Sequence, residues 1–331
     1  MPTHATALLA PAAVAFAVSA TVVWMLLKTR AGRLALDKPN ARSLHATPVP
    51  RLGGIGIVGG VIAAWIYAAP GIDPRLAVAL VLLIGVSLLD DLRGVGVIWR
   101  ILVHLTSALL AMTTLLYASH GLWLTLAAAL ATAWMTNLYN FMDGSDGLAG
   151  GMALIGFGTY GVASLLGGDF SFAAINLSVA AAACAFLFFN FPPAKVFMGD
   201  VGSIPLGFMA AVLGVAGWLR DDWPLWFAPV VFSPFIVDAS WTLVKRTARG
   251  ASVWQAHREH YYQQLVQKGW GHRKTALAEY GLMALMSGIA AAGIRTEPAL
   301  QLATLIAVTL LYAGLIVALE RSLVGHPEHH A

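Results

Sequence analysis

Polar side chains recur every third residue in Asn137-Leu-Tyr-Asn-Phe-Met-Asp-Gly-Ser-Asp-Gly-Leu-Ala-Gly150, at Asn137, Asn140, Asp143 and Asp146. The stretch closes an apolar run. If the helix of that run continues, the four groups share one face. Two amides and two carboxylates on one stripe need a partner for their charge, and a metal ion or a polar substrate would serve. Asp143-Gly-Ser-Asp-Gly147 suggests a calcium loop, but the further acidic positions of an EF-hand are missing.

Other places carry groups of the same kind. Asp90 and Asp91 follow an apolar run in Ser87-Leu-Leu-Asp-Asp-Leu-Arg-Gly94. They mark either a helix end reaching water or two repelling carboxylates that a cation would relieve. In Phe197-Met-Gly-Asp-Val-Gly-Ser203, Asp200 lies between Gly199 and Gly202, where backbone can approach a ligand closely. Ser203 as N-cap and Pro205 in the first turn would start a helix there, its free N–H groups and positive dipole end suited to a phosphate. The loop Asp37–Gly54 holds Arg42, His45 and Arg51 among prolines. It reads as a phosphate-binding lid or as an ordinary basic loop. In His257-Arg-Glu-His260 the histidines are three apart, not at the i, i+4 spacing of a zinc protease helix, and no third ligand is apparent. Contact of His257, Arg258 and His260 with a diphosphate is the better functional reading, beside that of a plain solvated loop. Asp238, inside an apolar segment, is either functional or a partner for a nearby Arg or Lys.

The elements that must position these residues are membrane helices. Of 331 residues 59% are hydrophobic and 11% charged, where a soluble domain carries about 25% charged residues. The apolar residues fall into blocks near the length that crosses a bilayer, without the short alternating segments of a β-barrel. The fold expected is all-α: a single polytopic bundle over 1–331 with about eleven spans, near 5–27, 52–69, 76–92, 98–118, 122–140, 148–166, 172–190, 203–219, 224–244, 275–294 and 299–319. The first block reads as a retained helix, not a cleaved signal. With this count, seventeen Lys and Arg fall on one side and three, Arg75, Arg220 and Arg295, on the other. The positive-inside rule then places the N-terminus outside and the C-terminus in the cytoplasm, with 245–274 a cytoplasmic loop. The lone Cys184 excludes an internal disulfide. The tail His326–His330 is given no chemistry.

Gly54-Ile-Gly-Ile-Val-Gly59 matches a dinucleotide fingerprint, but it opens a membrane span and does not follow a strand. Close helix packing through small residues such as Gly56 and Gly60 accounts for it better. No internal repeat supports a transporter built from inverted halves. A cation-coupled transporter would also place its acids near mid-span, whereas Asp90, Asp91, Asp143, Asp146 and Asp200 all fall at span ends on the cytoplasmic side. Hard carboxylate oxygens without thiolates suit Mg²⁺ or Mn²⁺, and acids beside basic and amide donors at a lipid boundary suggest phosphate chemistry.

Taken together, Asp90-Asp-Leu-Arg-Gly94, Asn137-x-x-Asn-x-x-Asp-Gly-x-Asp-Gly-Leu148, Phe197-Met-Gly-Asp-x-Gly-Ser203 and the loop Pro39–Gly54 resemble the polyprenyl-phosphate N-acetylhexosamine-1-phosphate transferases. The likeness runs from about Asp37 to Leu265. It implies Mg²⁺-dependent transfer of a sugar-1-phosphate from a UDP-N-acetylhexosamine to undecaprenyl phosphate, with release of UMP, at the cytoplasmic face of a bacterial inner membrane. By motif, Asp200 and Asp91 would hold the metal. Asp90 would take a proton from the lipid phosphate or position it. Asn140, Asp143, Asp146 and Phe197 would bind the nucleotide, and His257, Arg258 and His260 the diphosphate or sugar phosphate. Arg42, His45 and Arg51 fall to the lipid phosphate. The resemblance implies no nucleic acid partner, and pairing into a homodimer is one arrangement it allows. The muramyl-pentapeptide branch carries consecutive histidines in the last large loop. His257-Arg-Glu-His-Tyr-Tyr-Gln-Gln-Leu265 looks more like the branch that starts O-antigen and related surface glycans. Phospho-MurNAc-pentapeptide transfer is the alternative.

Overall fold

A computed structural model describes residues 4–30, 34–37, 48–68, 72–252 and 257–324. The described chain is mainly helical, and its strands form a two-residue ladder in which Leu36–Asp37 (β1) pairs antiparallel with Val49–Pro50 (β2). Twelve α-helices follow the apolar segments and their connectors: α1 His4–Lys28, α2 Gly54–Ala68, α3 Pro74–Arg93, α4 Val97–Phe141, α5 Leu148–Gly167, α6 Phe170–Asn190, α7 Asp200–Leu219, α8 Phe227–Val231, α9 Ser233–Ala248, α10 Tyr261–Leu265, α11 Gly271–Gly293 and α12 Pro298–Val324. A π-helical turn over Val266–Trp270 joins α10 to α11. Among the described helices, seven are long and apolar enough to cross a membrane. The protein is an all-α polytopic membrane protein.

The 45-residue α4 covers two of the predicted spans. As one straight helix it would run about 68 Å, yet residues near both of its ends touch Asp200 (Arg100 at 3.2 Å and Asn140 at 2.8 Å). The helix therefore folds back on itself. It does so at Gly121, whose φ of 74° and ψ of −179° break the helical path. That left-handed φ comes without steric cost only to glycine. At the far end of the hairpin His120 packs on Trp218, near the end of α7, ring centres 4.9 Å apart. Two antiparallel arms and α7 thus stand side by side.

The predicted segment 224–244 is two pieces, α8 and α9, meeting at Phe232. Helix α12 continues beyond the predicted 319 as far as Val324. The glycines of α2 pack as expected: a Cβ on Gly56 would collide with the Ser19 carbonyl and Val23, and one on Gly60 with the Ala15 carbonyl, so α1 and α2 lie in direct backbone contact. The core is completed by buried aromatic side chains, Phe157, Tyr160, Phe172, Trp223, Phe227 and Phe232. They lie in and beside α5 to α9 and fix these helices against one another.

Candidate active site

Asp200 is the first residue of α7, and side chains from three other helix ends converge on it. Arg100, one turn into α4, reaches both Asp200 Oδ2 at 3.2 Å and Asp90 Oδ2, at the end of α3, at 2.5 Å. Asn140, in the last turn of α4, donates its Nδ2 to Asp200 Oδ1 at 2.8 Å and to Ser203 Oγ at 2.9 Å. Asp90 Oδ1 accepts from the Val95 amide at 2.5 Å. One guanidinium thus holds two carboxylates together, and both remain partly exposed, within reach of a ligand. About six turns of helix separate Arg100 from the Gly121 bend, so its meeting with Asn140 at Asp200 depends on the fold-back.

Asp91, beside Asp90, faces the other way. Its carboxylate is buried and accepts from the Asp200 amide at 3.2 Å and the Val201 amide at 2.9 Å. A neighbouring helix thereby caps α7, satisfying amides that have no partner of their own. Arg51 steadies this acid: its Nη2 donates to the Asp91 carbonyl at 2.5 Å, and its Nε lies 3.7 Å from Asp91 Oδ1. Two sequence expectations change. Helix α7 begins at Asp200, not at Ser203, with Gly199 as its cap residue, and Ser203 instead donates to the Gly199 carbonyl at 3.1 Å. The amides expected to meet a phosphate are occupied by Asp91. Gly199 has φ 72°, and a Cβ there would strike the Arg51 carbonyl, so the close approach foreseen at this glycine is to the protein's own backbone. The same segment is stitched to the first loop by backbone bonds from Phe197 to Pro50 (2.7 Å), Gly53 to Phe197 (2.9 Å) and Gly54 to Met198 (2.8 Å). Phe197 is half-buried beside Asp200 in sequence. Arg42 and His45 lie outside the described residues.

The expected single face for Asn137, Asn140, Asp143 and Asp146 holds only for the first two. Helix α4 ends at Phe141, and the two aspartates sit in the turn before α5. Gly147, in that turn, has φ 76°. The turn is braced from several sides. Tyr139 donates to the Ala149 carbonyl at 2.8 Å, Tyr280 to the Gly147 carbonyl at 2.7 Å, and Asn190 accepts from the Gly147 amide at 2.9 Å. Asp146 serves the same bracing: its Oδ2 accepts from the Ala194 amide at 2.9 Å, and its Oδ1 lies 3.6 Å from His272. Asp143 has no such role. No hydrogen bond to its carboxylate occurs among the described residues, and burial, followed by the charges of Asp200 and Asp91, pushes its pKa well above the usual carboxylate range.

The histidine loop joins the site through aromatic contacts. His260 is buried, with its ring stacked at 6.3 Å on Phe141 and at 5.9 Å on Tyr262, and Tyr262 donates its hydroxyl to the Phe141 carbonyl at 2.9 Å. His257 packs against His260 at 4.8 Å. Burial, then the neighbouring His260 and Arg246, pushes His257 down to about 4, so it is neutral at pH 7. Of the contacts considered for it, this favours hydrogen bonding over a cationic one. Asp238 resolves as an anchor for backbone, not as a partner for Lys or Arg. Its oxygens accept from the Tyr261 amide at 2.9 Å and the Tyr262 amide at 3.1 Å, with Thr242 at 3.1 Å. Among the described residues Arg258 shows a carbonyl contact alone, from Gln267 at 3.1 Å.

Three participants escape a motif reading. Arg100 entered only as one more positive charge, and His104, buried one turn further on, reaches Asn137 Oδ1 at 3.2 Å and so links the two arms of α4. Their i, i+4 spacing on an apolar span was the available signal. His272 contacts both Ser145 Oγ (2.9 Å) and the Asp146 amide (3.2 Å) from α11, the helix whose Tyr280 braces the same turn. Among the described residues, no three His, Cys, Asp or Glu side chains are gathered closely enough to hold a metal alone. The donor set still fits a hard cation of the kind that takes one or two carboxylates and completes its shell with water and substrate phosphate. Asp143 accepts no hydrogen bond among the described residues, and the partly exposed Asp200 is close enough for its charge to act on it.

Residues 74–217, from α3 almost to the end of α7, match the model of the family described as Glycosyl transferase family 4. The chain is 30% identical over 264 residues to the "Probable undecaprenyl-phosphate N-acetylglucosaminyl 1-phosphate transferase" of Bacillus subtilis, covering 74% of each chain. It is 31% identical over 324 residues to the decaprenyl-phosphate N-acetylglucosaminephosphotransferase of Mycobacterium tuberculosis, covering 82% of this chain and 78% of that one. A phospho-N-acetylmuramoyl-pentapeptide-transferase of Chloroflexus aggregans is 33% identical over 194 residues, covering 55% of this chain and 51% of that one.

Proposed function

The chain belongs to glycosyl transferase family 4, the polyprenyl-phosphate N-acetylhexosamine-1-phosphate transferases, and on that premise we propose that it moves N-acetylhexosamine-1-phosphate from a UDP-sugar to undecaprenyl phosphate and so initiates a cell-surface glycan, O-antigen among them. The observation that carries this reading is the meeting of Asp90, Arg100, Asn140 and Asp200 at one end of the bundle, beside Asp143. Relatives matched over about three quarters of their length are named for N-acetylglucosamine, and the pentapeptide enzyme matches over about half. This supports UDP-GlcNAc as donor over UDP-MurNAc-pentapeptide.

In the proposed reaction an oxygen of the lipid phosphate bonds to the β-phosphorus of the UDP-sugar, and the bond from that phosphorus to the bridging oxygen breaks, releasing UMP. Mg²⁺ held by Asp200 and Asp143 would offset charge growing on the leaving UMP. Asp91 positions the start of α7 and is not needed as a ligand. Asp90, fixed by Arg100 and the Val95 amide, faces the acceptor. A phosphate monoester is largely ionised near neutral pH, its second pKa being about 6, so Asp90 contributes more by placement than by taking a proton. The polyprenyl chain would lie in the apolar groove of about 490 Å³ between the second arm of α4 and α9, lined by Trp134, Leu243 and Val244. Trp134 packs edge-on against Phe141 at 6.5 Å, next to the histidine loop. The topology proposed with it has eleven crossings, the N-terminus outside, and the site at the cytoplasmic face of a bacterial inner membrane.

Purified protein given Mg²⁺, undecaprenyl phosphate and UDP-GlcNAc should release UMP, and EDTA should stop it. Asp200→Asn should lose about a hundredfold or more in kcat, the usual cost of removing a group that stabilises developing charge. If no UDP-N-acetylhexosamine gives UMP above the Asp200→Asn level, the proposed activity is wrong.

A further inference from the structure

Helix α7 runs for 20 residues from Asp200 to Leu219, about 30 Å, and at its far end a second polar site stands away from the carboxylate cluster. A pocket of about 310 Å³ opens there, its walls including Gly167, Trp218, Asp221, Asp222, Pro224 and Arg295. Asp222 is 7% exposed, and its Oδ2 is buried without a hydrogen-bond partner among the described residues. The buried Ser164 hydroxyl lies beside it and eases its charge. A buried carboxylate oxygen left without a partner carries a desolvation cost, and it points to an occupant. Burial pushes the Asp222 carboxyl above the usual range, against the weaker pull of the Ser164 hydroxyl and the Arg220 charge.

The pocket holds both signs of charge without pairing them. Arg220 is taken by Asp169 at 2.8 Å. Arg295 donates to the Leu166 carbonyl, and among the described residues no carboxylate forms an ion pair with it. Among the described residues Asp221 and Asp222 form no ion pair either. A ligand with a cation at one end and an anion at the other would satisfy both walls, where a bare divalent cation would meet the guanidinium. The rim is apolar: Leu166 is 65% exposed and Leu225 49% exposed, next to Gly167 and Pro224 of the pocket wall. In a membrane protein such surface lies against acyl chains, and a Trp at the pocket mouth is typical of headgroup depth.

We propose that this pocket binds the headgroup of a phosphoethanolamine lipid, its ammonium against Asp222 and Asp221 and its phosphate toward Arg295, with the acyl chains along Leu166 and Leu225. The site is separate from the catalytic one and does not rest on the activity proposed above. Native mass spectrometry of the detergent-solubilised protein tests it, with an equimolar mixture of dioleoyl phosphatidylethanolamine and dioleoyl phosphatidylglycerol as the probe. Retention of the ethanolamine lipid should exceed that of the glycerol lipid by about tenfold, the size of one charge-assisted hydrogen bond. Asp222→Asn should bring the two to parity, while Asp73→Asn, a carboxylate paired with Arg75 in a different connector, should leave the preference intact. Should Asp222→Asn fail to fold, Arg295→Gln, an exposed substitution, should still weaken retention of the ethanolamine lipid. Equal retention of both lipids in the wild type would overturn the proposal, as would an unchanged preference in the variants. Free phosphoethanolamine binding as well as the lipid would overturn the lipid assignment. A thermal shift from MgCl₂ or CaCl₂ alone that vanishes in Asp222→Asn would make this a metal site instead.

Discussion

Asp90 and Asp91 are adjacent in the chain, yet their surroundings give them different work. Asp90 faces Arg100 and the space beside Asp200, whereas Asp91 points into the protein and receives two amides of α7. Asp91→Asn should therefore act on stability as well as rate. An amide has one accepting oxygen and cannot satisfy both N–H groups, so the cost should be about 1–2 kcal/mol, that of a weakened helix cap. A lowered thermal midpoint for Asp91→Asn, with Asp90→Asn reducing kcat at an unchanged midpoint, would separate the two roles. An Asp91→Asn midpoint equal to the wild type would refute the capping role. His257 offers a test through pH. Its folded value near 4 lies below the ordinary value of about 6.5. The unfolded chain then takes up a proton first as pH falls. The stability tied to His257 is whole above about pH 6.5 and drains as pH drops through that value toward about 4. His257→Gln should fall less steeply than the wild type in thermal midpoint between pH 7 and pH 4, and parallel curves would show that the ring is not held neutral.

Among the elements, the same device appears twice: an aspartate in one helix caps the start of another. Asp91 of α3 does this for α7, and Asp238 of α9 does it for α10, fixing Tyr261 and Tyr262 and, through them, His260 against Phe141. Asp238→Ala should free the histidine loop without touching the Asp200 cluster. The expected outcome is a KM for the UDP-sugar raised by about tenfold with a smaller change in kcat, and faster hydrogen exchange at the Tyr261 and Tyr262 amides. Slow exchange preserved in the variant would show that the loop is held by other contacts. These caps also explain what was legible in the sequence. Hydropathy sufficed to locate the helical segments, because a bilayer demands apolar blocks of a given length. The motifs found Asp90, Asn140 and Asp200 because unusual polar groups at span ends stand out. Nothing local distinguished Asp91 from Asp90, or announced that Asp146 braces a loop through Ala194 and His272. Those assignments depend on partners about 50 to 130 residues away. The helix end at Phe141 was missed for a related reason. A spacing of three matches a helix as well as a turn, and the glycines at 144 and 147 decided for the turn.

At the scale of the molecule, function requires that the carboxylate cluster face the compartment that holds nucleotide sugars. The fold makes that one question, because Asp90, Arg100, Asn140, Asp200 and, through Phe141, His260 lie at the same end of the bundle. Arg220 and Arg295 lie at the other end, beyond α7 and α11. The far end also carries few of the positive charges: seventeen of the twenty Lys and Arg fall on the near side if all eleven segments cross. Positive charge resists translocation, so the near end should be cytoplasmic. The single native cysteine, Cys184, is inside α6 and can be replaced to give a clean background. In that background a cysteine at Arg249, exposed in the loop after α9, should react with an impermeant maleimide only after the membrane is opened. A cysteine at Glu297, just before α12, should react in intact cells. Both positions are exposed; the Arg249 change gives up an ion pair with Glu259 beside His260, so labelling and not activity is the readout there. Reaction of both from the same side would break the alternation of spans. Reaction of Arg249→Cys alone in intact cells would put the carboxylates outside, out of reach of a cytoplasmic UDP-sugar, and the proposed reaction would lose its donor.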